Sequence, residues 1–233
     1  MIFPERIRGI KKTDRVLEIG PGALPYERSD VFLDLTYENK EARRRQSGGQ
    51  ERIELQKPVV FYDGVKFPFQ ENEFDYVICS HVIEHVEDVE YFLNEMFRIA
   101  KRGYIEYPTI LFEYLYGFDV HLNFVKRQNN QLIFLKKSKT GFKSFAPIQK
   151  FFLAATEKGY THSVNELKQF MFEGFEWNAP FDYKETNQIQ DVMWNEYIIP
   201  TVKLPQPNII KRIVKRIPYS RAVYSYCRKI LKM

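Results

Sequence analysis

The chain has 233 residues, of which 44% are hydrophobic and 16% aromatic, and its formal net charge is +5. This length suits one domain with a small appendage, and the composition supports a sizeable core and excludes general disorder. No apolar run approaches the roughly 20 residues that span a bilayer, and the first residues lack an apolar signal core, so we expect no export. Cys79 and Cys227 lie far apart, which predicts reduced thiols and a cytoplasmic setting.

The charge is distributed unevenly along the chain. Nine of the 35 basic residues lie in residues 201–233, where no acid occurs. The first 200 residues therefore hold 26 basic and 30 acidic residues, a net charge of −4. A basic block of this kind usually meets phosphate, an anionic membrane surface or an acidic partner.

The first half of the chain alternates predicted strands with a predicted helix. Short apolar runs predict strands at residues 16–19, 31–35, 58–62, 74–79 and 104–107. Apolar positions at helical spacing predict a helix over 82–100. This alternation favours an α/β fold with an open parallel sheet, in which ligands bind beyond the carboxyl ends of the strands.

The second half is less regular. Its patterns predict, in order, a hairpin, two helices and a strand at residues 121–137, 147–158, 163–172 and 175–184. The hairpin is predicted to turn at Asn129-Asn130.

A glycine-rich turn follows the first predicted strand. Gly20 and Gly22 permit a tight turn and a close approach of the backbone to a ligand, although an ordinary strand-ending turn is the alternative. Asp34 ends the next strand, where its carboxylate could accept hydrogen bonds from both hydroxyls of a ribose, and Asp63 follows the third strand. The set favours a nucleotide-like ligand.

The same turn departs from a dinucleotide fingerprint. The position of its third glycine is occupied by Pro25, and only about a dozen residues separate the turn from Asp34, which leaves little room for a helix that faces pyrophosphate. No GxxxxGK[ST] segment occurs either. A ligand without phosphates therefore suits the site better.

Four motifs occur in order within residues 14–108: VLEIGPG, LDL, FYDGVKFPF and FDYVICSHVIEHVED, with GYIEYP closing the series. In this order they resemble class I S-adenosylmethionine-dependent methyltransferases of type 11. The resemblance implies a Rossmann-like, mostly parallel seven-stranded sheet with helices on both faces, and S-adenosyl-L-methionine over its carboxyl edge. The chain departs from the family in its first crossover, where Leu24-Pro25 and an immediate second strand replace the usual long helix.

The resemblance also implies cofactor contacts, carried over residue by residue. The implied cofactor-binding residues are Glu18, Gly20, Gly22, Asp34, Asp63, Gly64, Ser80 and His81. The first motif matches the methionine and ribose part, Asp34 the ribose, the Asp-Gly pair the adenine, and the Ser-His pair the amino-acid end of the cofactor.

The segment SHVIEHVED carries the candidate chemistry, because His81, Glu84, His85 and Asp88 would share one face of a helix. Three interpretations stay open. The segment could cap and pack a helix start, with Ser80 as the cap. His85 or His81 could face the acceptor as a base, since an imidazole titrates near neutral pH. Two imidazoles and two carboxylates could also hold a divalent metal, although we expect none.

His121 follows a run rich in aromatic residues. It is either a loop histidine in an apolar cap or part of an acceptor-side lid near the transferred methyl group. His85 and His121 are the two candidate catalytic residues. His162 precedes a predicted helix and is expected at the surface.

A nucleic-acid acceptor is the rival interpretation. Amino-methylases of adenine and cytosine typically carry an Asn/Asp-Pro-Pro-aromatic segment after the fourth strand, where this chain has Ser80-His81-Val82-Ile83. Cys79 lies within a strand and is not placed to attack a pyrimidine. A non-catalytic adenosylmethionine-binding partner protein is the third hypothesis.

Residues 209–232 alternate apolar and basic positions at a spacing near four, which predicts a basic amphipathic C-terminal helix with a break at Pro218. It could dock on the body, bind an anionic membrane surface at the inner face, or contact nucleic acid. Membrane contact would suit an enzyme of lipid-linked sugars or other envelope glycans.

The sequence therefore predicts a methyltransferase domain over 1–200, with a cofactor half at 1–112, an acceptor half with a small cap at 113–200, and a basic tail at 201–233. The expected activity is methyl transfer to an oxygen or nitrogen of a small-molecule or glycan acceptor.

Overall fold

The computed structural model describes residues 1–22, 24–46, 57–158 and 162–193. The basic tail predicted at 209–232 lies outside these residues and stays a prediction. Among the residues that the structure describes, no helix has the length and apolar character needed to cross a bilayer.

The described part of the chain forms nine strands and five α-helices. The strands are β1 Val16–Ile19, β2 Val31–Leu35, β3 Val59–Tyr62, β4 Tyr76–Ser80, β5 Gly103–Pro108, β6 Asn123–Gln128, β7 Gln131–Lys136, β8 Phe172–Trp177 and β9 Asp182–Glu185. The helices are α1 Lys40–Gln46, α2 Val89–Ile99, α3 Ile110–Tyr116, α4 Ala146–Glu157 and α5 His162–Met171.

The central sheet has the strand order β3-β2-β1-β4-β5-β8. Its first five strands run parallel, and β8 pairs antiparallel with β5. The predicted α/β class and mostly parallel sheet are confirmed, and the five strands predicted in the first half lie within two residues of their observed ends. The seven strands implied by the resemblance are not confirmed, because the described residues place six in this sheet.

The order of the strands creates a crevice at one edge of the sheet. From β1 the chain first builds outward through β2 and β3, and then crosses back to place β4 and β5 on the other side of β1. The connections that leave the carboxyl ends of β1 and β4 therefore diverge. Such a switch point is where open α/β sheets bind their ligands.

The two faces of the sheet are covered differently. Leu17 and Val77 belong to an apolar cluster that includes residues of α2 and of the hairpin strands β6 and β7. Their neighbours Val16 and Tyr76 point to the opposite face and belong to a cluster with Ile7 of the N-terminal segment. Among the described residues, this second cluster takes its covering side chains from the N-terminal segment and the short first crossover, and none from the five helices.

A second sheet, of order β6-β7-β9, forms beside the central one. The predicted hairpin and its turn are confirmed, and Asn129 adopts the left-handed conformation that the turn requires, with φ of 56°. The single strand predicted over 175–184 is wrong. It divides into β8, which joins the central sheet, and β9, which pairs parallel with β7. Pro180, which has no N–H to donate to a ladder, lies between them.

The helix predicted over 82–100 is wrong in its first part. Residues 83–85 form a short 3₁₀ turn, and α2 begins only at Val89. Asp88 rather than Ser80 caps α2, since its carboxylate accepts a hydrogen bond of 2.9 Å from the backbone N–H of Tyr91.

Tertiary hydrogen bonds explain why the segment before α2 is not helical. The carbonyl of Glu84 accepts from the N–H of Leu122 at 2.7 Å, and the carbonyl of Val86 accepts from Nδ2 of Asn123 at 2.7 Å. A helix needs both carbonyls for its own i+4 amides. The hairpin therefore competes with the helix for these groups, and the predicted common helical face of His81, Glu84, His85 and Asp88 does not form.

Candidate functional site

A cavity of about 670 Å³ opens at the carboxyl edge of the central sheet. It is lined by nearly all the residues proposed from the sequence: Glu18, Gly20, Gly22, Asp34, Gly64, Ser80, His81, His85 and His121. Asp63 is the exception. The structure thus brings cofactor-binding and acceptor-side candidates into one space, although their individual roles stay predictions.

The glycine turn after β1 is held in a conformation that other residues rarely adopt. Gly20 and Gly22 have φ values of 62° and 58°. A Cβ on Gly20 would lie 2.6 Å from Cγ2 of Val82, whereas a Cβ on Gly22 would meet nothing within 4 Å. Gly20 is therefore required by packing and conformation together, and Gly22 leaves open space beside the cavity.

Glu18 secures the short crossover that replaces the usual helix. Its Oε2 accepts hydrogen bonds from the N–H of Tyr26 at 2.9 Å and from the hydroxyl of Ser29 at 2.8 Å. The side chain is 3% exposed, and this burial raises the pKa of Glu18 to about 7, even though both hydrogen bonds favour the ionised form. The predicted role of Glu18 beside the cofactor is untested, and the described bonds give it a scaffold role.

Asp34 lies at the end of β2 as predicted, buried at the cavity wall. Its Oδ1 accepts from the N–H of Leu35 at 2.9 Å, and its Oδ2 lies 3.6 Å from Nη2 of Arg43 on α1. Burial and then the Asp34 carboxylate raise the pKa of Tyr37 to about 12, so this phenol stays protonated. An ionised carboxylate accepts about four hydrogen bonds, so these contacts are compatible with a ribose.

Of the Asp-Gly pair after β3, only the glycine lines the cavity. Gly64, with φ of 88°, lines the cavity together with Val65. Asp63 instead turns its carboxylate to the N–H of Val65, at 3.0 Å. This places the carboxylate of Asp63 in a local turn, and the backbone of the pair at the cavity wall.

His81 follows β4 in a strained backbone conformation, with φ of 57°. Its ring lies between two buried carboxylates, with Nε2 3.0 Å from Glu106 and Nδ1 3.5 Å from Glu84. Burial alone would lower the pKa of His81, but these carboxylates raise it to about 9, so the ring is charged at neutral pH. Ser80 also donates to Glu106, at 2.9 Å.

Glu106, in the middle of β5, fixes the N-terminal residues over the cavity. Its carboxylate accepts from the N–H groups of Ile2 and Phe3 at 2.6 and 2.9 Å and from the hydroxyl of Tyr104 at 2.7 Å. Met1 and Ile2 consequently line the cavity. Sequence reasoning missed this role, although an isolated acid in an apolar strand is a signal that it has buried partners.

The candidate catalytic histidines meet at one wall of the cavity. The ring centroids of His85 and His121 are 4.5 Å apart. The carboxylate of Glu84 is close to both, and ligating atoms of the three side chains lie within 4.8 Å of one another. His81 and Asp88, which the sequence pattern grouped with His85, lie outside this trio.

The trio has orienting partners that the sequence analysis did not predict. Nδ1 of His85 lies 3.1 Å from the carbonyl of Val120, and burial lowers the pKa of this ring. Nδ1 of His121 lies 2.5 Å from Glu113, which also pairs with Lys137. Glu113 is another acid within an apolar run, ILFEYLY, and that isolation was its only signal.

The cavity fits S-adenosyl-L-methionine in the type of groups that it offers. The glycine turn presents backbone and open space, Asp34 supplies a buried carboxylate at the end of the next strand, and aromatic and apolar side chains complete the walls. Gly20, Gly22, Asp34 and Gly64 are the residues that would hold it.

Comparison with known families gives one match. Residues 28–105 match the sequence model described as a methyltransferase domain. None of the curated proteins matches the chain.

Several solved structures resemble the chain. The PH0226 protein of Pyrococcus horikoshii is 21% identical, with a TM-score of 0.36 over 48% of this chain and 57% of its own. A SAM-dependent methyltransferase of Aquifex aeolicus is 21% identical, with a TM-score of 0.33 over 46% and 64%. An S-adenosylmethionine-dependent methyltransferase of Mesorhizobium loti is 12% identical, with a TM-score of 0.38 over 70% and 89%. The chain thus spans 57% and 64% of the length of the first two.

Proposed function

We propose that this chain is a class I S-adenosylmethionine-dependent methyltransferase that transfers the methyl group of S-adenosyl-L-methionine to an oxygen or nitrogen of a small molecule or glycan. The match of residues 28–105 to a methyltransferase domain supports this proposal. The observation that carries the proposal is the single cavity shared by the glycine turn, Asp34 and the pair His85 and His121. It offers a cofactor wall and an acceptor wall within one space.

The charge of the cavity supports a small acceptor rather than a nucleic acid. The acids that line it are Glu18, Asp34, Glu84, Glu87 and Asp88. Among the described lining residues, Arg43 is the one arginine or lysine, and it lies beside Asp34. A polyanionic backbone would be repelled by such a wall, since nucleic-acid affinity comes largely from Lys and Arg on phosphates.

When bound, S-adenosyl-L-methionine supplies a sulfonium methyl group that is open to attack by a nucleophile. The protein has to align that nucleophile and exclude water, and alignment alone is worth about 7–11 kcal/mol. Phe112, Phe118 and Phe172 line the cavity and provide an apolar wall. The N-terminal residues held by Glu106 close a further part of it.

A base role for His85 or His121 stays a prediction that the hydrogen bonds support. A carbonyl oxygen only accepts, so Nδ1 of His85 must donate to Val120, and a neutral ring then keeps a lone pair on Nε2. His121 is oriented in the same way by Glu113. Such a lone pair could accept the proton of an acceptor hydroxyl or ammonium group.

The first test is calorimetric titration with S-adenosylmethionine, S-adenosylhomocysteine and, as a control, NAD. We expect about micromolar binding of the first two and none of NAD. Binding of NAD alone, or of none of the three by correctly folded protein, would contradict the proposal.

An acceptor screen then separates the rival functions. Release of S-adenosylhomocysteine with sugars, lipid-linked glycans or small hydroxylated and amino compounds would support the proposal. Activity on RNA or DNA that falls steeply with salt would support the nucleic-acid alternative instead. Tight cofactor binding without turnover in any acceptor mixture would favour a non-catalytic binding partner.

A further inference from the structure

We infer that Glu84, His85 and His121 form a binding site for a divalent transition-metal cation at the acceptor wall of the cavity. Their ligating atoms, two imidazole nitrogens and one carboxylate oxygen, lie within 4.8 Å of one another. His85 and His121 come from segments 36 residues apart in sequence, and the loop before β6 brings them together. Two imidazoles and one carboxylate are a common ligand set for such cations.

The hydrogen bonds of the two histidines prepare the same nitrogen of each ring for a cation. Nδ1 of His85 donates to the carbonyl of Val120, at 3.1 Å. Nδ1 of His121 donates to the carboxylate of Glu113, at 2.5 Å. Metal-bound histidines usually donate their other N–H to a carbonyl or carboxylate, which fixes the ring and its tautomer. In the neutral rings, both Nε2 atoms are therefore left as acceptors.

Glu84 is the independent observation that points to a ligand. Its side chain is 0% exposed, and neither carboxylate oxygen has a hydrogen-bond partner in the described structure. The nearest imidazole nitrogens, of His81 and His85, lie 3.5 and 4.0 Å from Oε1 and are too distant for good hydrogen bonds. The charge of His81 offsets part of the cost of burying this carboxylate, but its two oxygens still lack hydrogen bonds, and coordination to a cation would satisfy them.

The surrounding charges also favour a cation. Glu84, Glu106 and Glu113 are each 0% exposed. Among the described residues facing them, Lys137 pairs with Glu113, and His81 lies between the other two. Even with His81 charged, the cluster holds one more negative charge than positive. A divalent ion adjoining Glu84 would reverse that excess.

The geometry leaves room for an oxygen ligand. At metal–ligand distances near 2.1 Å, neighbouring ligand atoms lie about 3–3.5 Å apart, so the side chains would move by roughly 1 Å to close around an ion. Three protein ligands leave at least one coordination position open, as in catalytic metal sites. Because the trio lines the cavity, that position faces the acceptor space.

The inference names the acceptor class for the proposed function, on which this part of it rests. A hydroxyl oxygen of the acceptor would complete the coordination, and the cation would lower the pKa of that hydroxyl. The methyl carbon then leaves the sulfonium sulfur, which keeps the bonding electron pair as a neutral thioether. A new O–C bond forms, and the hydroxyl proton passes to solvent. The cation would thus take the role that an imidazole base was predicted to fill.

The test is calorimetric titration of untagged, chelator-treated protein with Zn²⁺ and Co²⁺, together with the visible absorption of bound Co²⁺. We expect one ion per chain at micromolar affinity or better, and cobalt bands typical of nitrogen and oxygen ligands. Folded wild-type protein that binds neither ion would overturn the inference.

Variants assign the ligands. Glu84→Gln keeps the shape of the side chain but removes its charge, and His121→Gln removes one imidazole; each should weaken binding by about 100-fold. Glu87→Gln is the matched control, because Glu87 is an acid of the same cavity wall, outside the trio and paired with Lys136; its metal affinity should stay within about twofold. Unchanged affinity in both trio variants would overturn the inference.

Thermal unfolding with and without Zn²⁺ provides a second measurement of metal binding, which applies even if a variant is less stable than wild type. Zn²⁺ at 100 times its wild-type dissociation constant should stabilise wild type by a shift corresponding to a 100-fold change in the folding equilibrium. The same concentration should change the folding equilibrium of Glu84→Gln by only about twofold, because that variant is expected to bind about 100-fold more weakly. The proposed function is judged separately, by S-adenosylhomocysteine binding. Cofactor binding and turnover in a protein that binds neither ion would overturn the metal site alone. Metal binding without cofactor binding would contradict the proposed function alone.

Discussion

The two walls of the cavity are built by different means. The wall proposed to bind the cofactor, called the cofactor wall and defined as residues 18–22, Asp34 and Gly64, consists of backbone turns and acids at the ends of neighbouring parallel strands. The wall proposed to face the acceptor, called the acceptor wall and defined as Glu84, His85 and His121, consists of side chains from a 3₁₀ turn and a distant loop. The first wall depends on local geometry, and the second on packing between segments that are far apart in sequence.

This difference teaches where function is encoded in the fold. A turn that needs positive φ accepts few residue types, so short sequence motifs are enough to identify the cofactor wall. The acceptor wall needs only that suitable side chains arrive in one place, and its orienting partners Val120 and Glu113 belong to no motif. Substitutions in the two walls should therefore have separable effects.

The largest effect is expected at the acceptor wall. His85→Gln should lower turnover with an identified acceptor by about 100-fold, because the imidazole Nε2 is lost whether it acts as base or as metal ligand. The affinity for S-adenosylhomocysteine should change by less than about twofold. Steady-state kinetics and calorimetry on the same protein measure both. Full activity would return His85 to a packing role.

At the cofactor wall, Gly20→Ala should destabilise the protein by about 2–3 kcal/mol, since a left-handed Ala is strained by about 1–2 kcal/mol and its Cβ would lie 2.6 Å from Val82. Gly22→Ala is the control for strain without contact, because its Cβ would meet nothing within 4 Å. Chemical denaturation should rank Gly20→Ala below Gly22→Ala. Equal losses of stability in the two variants would mean that the contact with Val82 contributes nothing to the effect of Gly20→Ala.

Glu18→Gln tests how the buried carboxyl that holds the short crossover contributes to stability. The pKa of Glu18 is raised to about 7 from 4.5, so this group's contribution to wild-type stability is present below pH 4.5 and is lost as pH rises to about 7. Gln does not ionise. The stability of Glu18→Gln relative to wild type should therefore improve by about 2 kcal/mol between pH 5 and pH 8. A relative stability independent of pH would show that Glu18 is not perturbed by burial.

The smallest of these effects is expected for Asp34→Asn. Replacing the carboxylate should weaken cofactor binding by about tenfold, because hydrogen bonds to a charged group are worth about 1.5–3 kcal/mol and Asn still provides one acceptor. Turnover at saturating cofactor should stay near that of wild type. Calorimetry with S-adenosylhomocysteine decides the matter, and an unchanged affinity would mean that the ribose lies elsewhere.

The sequence by itself determined the central strands and the cofactor wall. The α/β class, the five leading strands, the hairpin and the turn glycines followed from periodicity and from residues that only certain backbone conformations accept. The position of Asp34 at a strand end also followed, because parallel strands place their carboxyl ends at a common edge. These are local properties, which a local pattern is able to carry.

Only the tertiary structure decided the remainder. The sequence pattern predicts that segment 82–88 is helical, but two of its backbone carbonyls accept hydrogen bonds from Leu122 and Asn123 instead. The helical face that His81, Glu84, His85 and Asp88 were predicted to share therefore does not form. The same packing brings His121 to Glu84 and His85 and leaves Asp88 as a helix cap. The division of 175–184 between two sheets likewise depends on which strand edges are available. Hydrogen bonds between distant segments compete with local ones, and no periodicity records the outcome of that competition.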